Sequence, residues 1–317
     1  MPTSKVLLCP GQGAQFVGMA RAWCDASPAA AETFRAADRV IGSRLPAPLS
    51  SLCFSGPSEV LNHTDAAQPA IFTSSVACFR ALEAQGGVSM AAAAGLSLGE
   101  YTALHLAGVI GFEEALELVV LRGRAMQDAA EASSGSMVAL IGGDEAQAQS
   151  VCDSAAKGEV LVCANYNAPG QIVLSGHASA CDRAVPAAEA LGLKATRLQV
   201  AGAFHSALMQ PAADRLAAAL ERTAFNRGAV PVVSNVTALP HGGDAAGVRS
   251  LLVQQLTMPV KWAQSCSWLA GAYPSSRHAY HELAPNKVLS GLMRRIDRAI
   301  KVVNHDEPAA APAAAGV

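Results

Sequence analysis

The sequence predicts an α/β protein with a large domain on a mainly parallel sheet and a small βαββαβ domain inserted into it. Three observations carry this. Strand-like apolar runs alternate with helical patterns over residues 5–130 and again after 201, as in a parallel sheet covered by helices. Between them, residues 136–200 read strand, helix, strand, strand, helix, strand, the ferredoxin-like order. Apolar residues make up 51% and charged residues 15% of 317, enough for a large core.

In order, Val6 to Cys9 reads as a strand and Pro10-Gly11-Gln12-Gly13 as a tight turn. Helical patterns follow near 28–42, 57–62, 69–86, 98–110 and 113–131, with a short apolar run, Met90 to Ala94, before the fourth. The insert has strands at 136–141, 160–165, 171–175 and 194–200 and helices at 144–156 and 178–191. A helix over 211–223, a strand over 230–234 and helices near 247–256, 259–271 and 285–296 complete the large unit. The expected boundaries are 1–134 with 201–306 for the large domain and 135–200 for the small one. Residues 307–317 are rich in Ala and Pro, without apolar periodicity, and are expected to be disordered.

Bulk properties exclude several classes. The formal net charge is −2, so nothing suggests a nucleic-acid partner. No apolar run reaches the roughly 18 residues of a membrane span. The first strand begins so near the start that no signal or transit peptide fits before it. That reads as cytoplasmic for a bacterial chain, or as a plastid or other organelle lumen if a leader has been removed. The eight cysteines form no C-x-x-C pair, which points to free thiols in a reducing compartment. His278 and His281, followed by Glu282, have loose metal-ligand spacing, but no further ligand stands at a suitable distance in sequence, so no metal is expected.

The chemistry centres on Gly95-Leu96-Ser97-Leu98-Gly99. It reads as a nucleophile elbow, a serine on a sharp strand-to-helix turn that would form an acyl-enzyme. A Gly-rich loop whose serine caps the next helix fits the same five residues. The elbow reading makes the large domain hydrolase-like. A serine nucleophile needs a base. His105 lies eight residues along the same helix, roughly 12 Å of rise, and cannot easily reach Ser97. His205, in a loop just before a helix, is better placed, although a structural loop histidine is equally consistent. No carboxylate stands out as a third member, since Asp214 lies within the following helix and Glu282 is remote. A backbone or amide carbonyl could orient the imidazole instead. Leu98, following the nucleophile, would supply one oxyanion-hole N–H. The turn at Gly11-Gln12-Gly13 is a candidate for the second. Arg122 continues the apolar row Ala115–Leu118, so its guanidinium is expected to be buried. It is then either a structural ion pair or a clamp for a substrate carboxylate. Arg124 falls on the row of Glu117 and is expected in solvent.

Together these residues resemble the malonyl-CoA:acyl-carrier-protein transacylase family. The matching stretches are Pro10 to Gln15, Gly95 to Leu104, Leu121 to Gln127, Asn167 to Gln171, Phe204-His205, Gln255-Leu256 and Asn286 to Leu289. Two positions depart from the family pattern: Leu96 stands where histidine is commoner, and Asn286 where glycine is usual. The resemblance implies a ping-pong transfer of malonyl from malonyl-CoA to the phosphopantetheine thiol of acyl carrier protein, without a cofactor, supplying fatty acid synthesis. It implies Ser97 as nucleophile, His205 as base, Gln255 as the carbonyl that orients His205, Gln12 and Leu98 as oxyanion-hole amides, and Arg122 as the malonyl carboxylate site. Phe204 before the base implies less room for a methyl-branched malonyl group. An acyltransferase of other selectivity in polyketide synthesis and a serine thioesterase are the alternatives, and a non-catalytic scaffold is a third. Arg183, Lys194, Arg197, Lys261, Lys287, Arg294 and Arg295 are candidates for a basic rim facing an acidic carrier protein.

Overall fold

The computed structural model describes residues 4–309. The chain opens with β1 (Ser4–Cys9), then five helices: α1 (Arg21–Ala26), α2 (Pro28–Ile41), α3 (Leu49–Ser55), α4 (Ser58–Leu61) and α5 (Thr64–Ala84). Next come β2 (Met90–Gly95), α6 (Gly99–Leu106) and α7 (Phe112–Ala132). The middle section is β3 (Gly135–Ile141), α8 (Glu145–Ala156), β4 (Leu161–Ala168), β5 (Gln171–His177), α9 (Ala178–Ala190) and β6 (Lys194–Arg197). The remainder is α10 (Gln210–Leu220), β7 (Val232–Val233), α11 (Ala245–Gln254), α12 (Trp262–Ala272), β8 (His278–Leu283), α13 (Val288–Ile296) and β9 (Val302–His305).

Two separate sheets result. The first has the order β7-β2-β1-β8-β9, every pair parallel. Along central β1 the side chains alternate between two cores. Leu7 and Cys9 join the cluster under α2, α5, α7 and α10, while Val6 and Leu8 join the one with Trp262, Cys266 and Leu289 from α12 and α13. The second sheet, β4-β5-β3-β6, is antiparallel and carries α8 and α9 on a third cluster of its own. An isolated bridge joins Asn165 of β4 to Val260, just before α12.

Several boundaries differ from the sequence reading, for local reasons. The helix expected over 98–110 ends at Leu106, because Gly108 adopts φ +79° and the N–H of Val109 turns back to the carbonyl of Leu104. The helix expected from 69 begins at Thr64, with Pro69 inside it. The strand expected over 194–200 stops at Arg197, and that over 230–234 is two residues long. The tail, expected to be disordered, lies outside the described residues from 310 on.

β8 and β9 were absent from the sequence reading. His278, Ala279, Tyr280, His281 and Glu282 lack clean alternation, yet β8 lies between β1 and β9. Glu282, fully buried, accepts from the N–H groups of Leu289 and Ser290 and from Ser290 Oγ, at 2.7, 2.8 and 2.5 Å. It therefore satisfies orphan donors at the start of α13 from a neighbouring strand. Burial pushes its carboxyl up, while these bonds hold it down. Glu282→Ala is expected to cost about 3 kcal/mol, read from urea unfolding, because one buried donor and three part-buried ones, Asn304 Nδ2 included, lose their acceptor.

Candidate active site

The elbow is shaped by close approach. A Cβ on Gly99 would stand 2.1 Å from the carbonyl oxygen of Cys9, and one on Gly95 would stand 1.9 Å from the backbone of Gly99. A Cβ on Gly11 would meet the carbonyl of Leu96 at 2.2 Å. With glycine at these points, β2 can turn into α6 directly against the end of β1. Ser97 at the apex has φ +52°, a strained conformation for a side-chain-bearing residue. Asn235, just beyond β7, holds the turn from both sides. Its Oδ1 accepts from the N–H of Ser97 at 2.6 Å and its Nδ2 donates to the carbonyl of Gly95 at 2.7 Å.

His205 arrives on the loop between β6 and α10. That loop packs tightly: a Cβ on Gly202 would meet Ala130 of α7 at 2.5 Å, and one on Gly135 would meet Ala203 at 2.6 Å. His205 also has positive φ, +57°. Its Nε2 lies 2.9 Å from Ser97 Oγ and its Nδ1 2.7 Å from the carbonyl oxygen of Gln255. Nδ1–H donating to that carbonyl leaves Nε2 free to accept from the serine. Burial, then the nearby Arg122 charge, pushes the imidazole down to about 4, and the Gln255 bond only partly opposes them. The ring is therefore neutral at pH 7 and able to take a proton.

Arg122 is 1% exposed. Its Nη2 donates to Ser97 Oγ and to Gln255 Oε1, both at 2.9 Å, and its Nη1 to Gln68 Oε1 at 2.6 Å. The guanidinium also lies 5.5 Å from the Tyr101 ring centroid. Every direct partner is neutral, and Nε has no partner among the described residues. Arg124, by contrast, is half exposed and pairs with Asp65 and Asp128.

The remaining candidate residues divide between this centre and the rest of the fold. Among the described residues, the backbone N–H groups of Gln12 and Leu98 find no protein acceptor, as an oxyanion site requires. Phe204 packs into the main core beside His205. His105 bonds the carbonyl of Ile110, away from Ser97. His278, His281 and Glu282 are not brought together as ligands, and no metal-binding cluster occurs among the described residues. Sequence reasoning missed Gln68, Asn235 and Glu100. The first two are amides, Gln68 on a helix 54 residues from Arg122 and Asn235 on a loop 138 residues from Ser97. Glu100 lies three residues after Ser97 but reads as an ordinary first-turn acid.

A Ser–His pair with a carbonyl orienter, two free amides and a buried cation can carry out acyl transfer on an anionic acyl group. The model of the acyl transferase domain family matches residues 6–295. The malonyl CoA-acyl carrier protein transacylase of Escherichia coli K12 is 43% identical over 314 residues, covering 98% of this chain and 99% of the relative. The chain belongs to the malonyl-CoA:acyl-carrier-protein transacylase family. Another such transacylase, from Bacillus subtilis strain 168, is 38% identical over 303 residues, 95% of this chain and 93% of its own length. The solved transacylase of Coxiella burnetii superposes with a TM-score of 0.92 at 39% identity, covering 97% of this chain and 95% of that one. A malonyl-transacylase solved with a type II polyketide acyl-carrier protein superposes at 0.91 with 37% identity, covering 96% and 97%. As a family member the chain is an acyltransferase.

His205 gives a pH dependence. An imidazole depressed from about 6.5 to about 4 on folding is protonated in the unfolded chain first. Stability is therefore full above pH 6.5 and falls as pH drops from 6.5 to 4, by at most about 3 kcal/mol from this group. The urea midpoint of wild type is expected to fall across that range, and that of His205→Phe to lack this part of the fall.

Proposed function

We propose that the chain transfers malonyl from malonyl-CoA to the phosphopantetheine thiol of acyl carrier protein through malonyl-Ser97, supplying fatty acid synthesis. The observation that carries this is Arg122: a buried guanidinium with only neutral partners and an orphaned Nε–H. An unpaired buried donor costs about 1–3 kcal/mol. A substrate carboxylate removes that cost, and an acetyl group does not.

In the first half-reaction Ser97 Oγ attacks the thioester carbonyl while His205 Nε2 takes its proton. The N–H groups of Leu98 and Gln12 stabilise the oxyanion. Collapse expels the CoA sulfur, which receives the proton from His205. In the second half the carrier thiol gives its proton to His205 and attacks the malonyl ester. The tetrahedral adduct then releases Ser97 Oγ, which is reprotonated. The steps balance with protein groups and two thiols, so the reading requires no cofactor. Phe204 restricts the acyl end, giving a preference against methyl-branched malonyl worth about 1–3 kcal/mol. The same reading treats 135–200 as a domain inserted between 1–134 and 201–306. Eight free cysteines suit a reducing compartment such as a bacterial cytoplasm. No helix among the described residues is long and apolar enough to cross a membrane.

Intact-mass measurement after incubation with acyl-CoAs tests the reading. A malonyl adduct is expected on wild type and absent from Ser97→Ala. Arg122→Ala is expected to label less with malonyl-CoA and relatively more with acetyl-CoA, by about tenfold or more in their ratio. Absence of a malonyl adduct on wild type would reject the proposal.

Two of the seven candidates for the basic rim are engaged within the fold, while Lys194, Lys261 and Lys287 form no ion pair among the described residues. Arg183 is held by Glu159 and two carbonyls, and Arg197 by Asp182 and Ser136, so neither is free. Arg294 and Arg295 instead share a groove with Arg298, Lys301 and Pro169, and form no ion pair among the described residues. We assign the acidic carrier protein to this groove. Arg294→Glu with Arg298→Glu is expected to raise the carrier-protein KM about tenfold at low salt, leaving the malonyl-CoA KM unchanged.

A further inference from the structure

A buried guanidinium needs an anion, and Arg122 touches none. One is reached through Gln255. The Gln255 Oε1 that accepts from Arg122 belongs to an amide whose Nε2 donates to Glu100 Oε2 at 2.7 Å. Glu100 is fully buried on the first turn of α6. The field of its carboxylate favours the Arg122 charge across the intervening amide. The chain Arg122, Gln255, Glu100 therefore offsets part of the cost of the buried cation at one remove and leaves its Nε edge for substrate.

The same carboxylate holds both halves of the catalytic pair. Its Oε2 also accepts from the backbone N–H of Asn235 at 3.1 Å. Asn235 is the residue that fixes the elbow at Gly95 and Ser97. Gln255 carries the carbonyl that orients His205, and its Nε2 also donates to the Ser97 carbonyl at 2.9 Å. The other carboxylate oxygen, Oε1, is taken by His241 Nε2 at 2.6 Å. The His241 side chain is 4% exposed, and its Nδ1 has no partner among the described residues. That imidazole thus has one polar contact, and it is Glu100.

We propose that Glu100, backed by His241, is the positioning residue of the acyl transfer: it sets the nucleophile through Asn235 and the base through Gln255. In a serine triad the carboxylate accepts directly from the histidine. Here it acts one residue further out, and the Gln255 carbonyl takes its place at the imidazole. His241 holds Glu100 in the rotamer that meets both amides, as an outer partner fixes a ligand.

The inference rests on the malonyl-transfer reading, and the experiment separates the two. The full-length protein is compared with Glu100→Gln, His241→Ala and His241→Gln. The readouts are steady-state malonyl transfer, thermal midpoint, and the downfield imidazole N–H proton resonance of His205 hydrogen-bonded to Gln255. In Glu100→Gln one side of the carboxamide presents a donor, either to Asn235 and Gln255 or to His241, so the grip is broken. The expected result is a 10–100-fold fall in kcat, with the malonyl-CoA KM within twofold of wild type and the downfield resonance broadened or lost. His241→Ala is expected to lose about tenfold in kcat, and His241→Gln, which keeps a donor, to recover most of it with the resonance restored. A wild type that takes no malonyl rejects the functional reading itself. A wild type that labels, with Glu100 and His241 variants that retain wild-type kcat, rejects the positioning role. So does a loss of kcat that follows the thermal midpoint, leaves the resonance intact and is not recovered by His241→Gln.

Discussion

The constraint on which the site depends is steric. The end of β1, the end of β2 and the start of α6 meet so closely that Gly95 and Gly99 have no room for a Cβ. β1 is the middle strand of the five, so the contact is anchored from both sides. The turn between those glycines has little freedom, and Ser97 takes a left-handed conformation that would cost about 1–3 kcal/mol elsewhere. The surrounding core over-determines it. Leu98 and Tyr101 are buried on one side, and Asn235 bonds the turn on the other.

Electrostatics builds on that geometry. Three ionisable groups, Glu100, Arg122 and His205, are buried together with few direct contacts between charges. Arg122 and burial both favour a neutral His205, as a base requires. Burial also disfavours the Arg122 cation itself, and amides rather than carboxylates solvate it directly. Bringing a carboxylate into contact with Arg122 would satisfy it permanently and remove the preference for an anionic acyl group proposed for it. The amides Gln68 and Gln255 avoid this, because each accepts one hydrogen bond without cancelling the charge.

The legible and illegible parts of the sequence divide by the same physics. The elbow is local: five residues, two of them glycine, suggest it, and a capping loop is the reading they leave beside it. Arg122 is legible because helical periodicity places it on the row of Ala115 and Leu118, both buried. The small unit over 135–197 comes through because α8 and α9 each bury one regular face, through Ala148, Val151, Cys152 and Ala155 and through Ala180, Cys181, Ala184 and Ala188, between short apolar runs. β8 was not legible, since its polar side chains serve specific partners: His278 meets Ser4, His281 meets His305, and Glu282 meets α13. Polar residues fixed by tertiary contacts leave no periodic trace. Gln68, Asn235 and Glu100 escaped for that reason, because an amide or a first-turn acid looks the same whether solvated or buried.

Glu100 shows how a local rule and a tertiary need can coincide. A carboxylate in the first turn of a helix is favoured by the helix dipole, worth about 0.3–1 kcal/mol at a surface. At a fully buried position that gain is too small to offset desolvation of a charge, which costs several kcal/mol. The three hydrogen bonds from Asn235, Gln255 and His241 must supply the difference. Two of those donors belong to the residues that fix Ser97 and His205. Folding the carboxylate into the core and fixing the Ser97 turn and the His205 ring thus draw on the same bonds, those from Asn235 and Gln255.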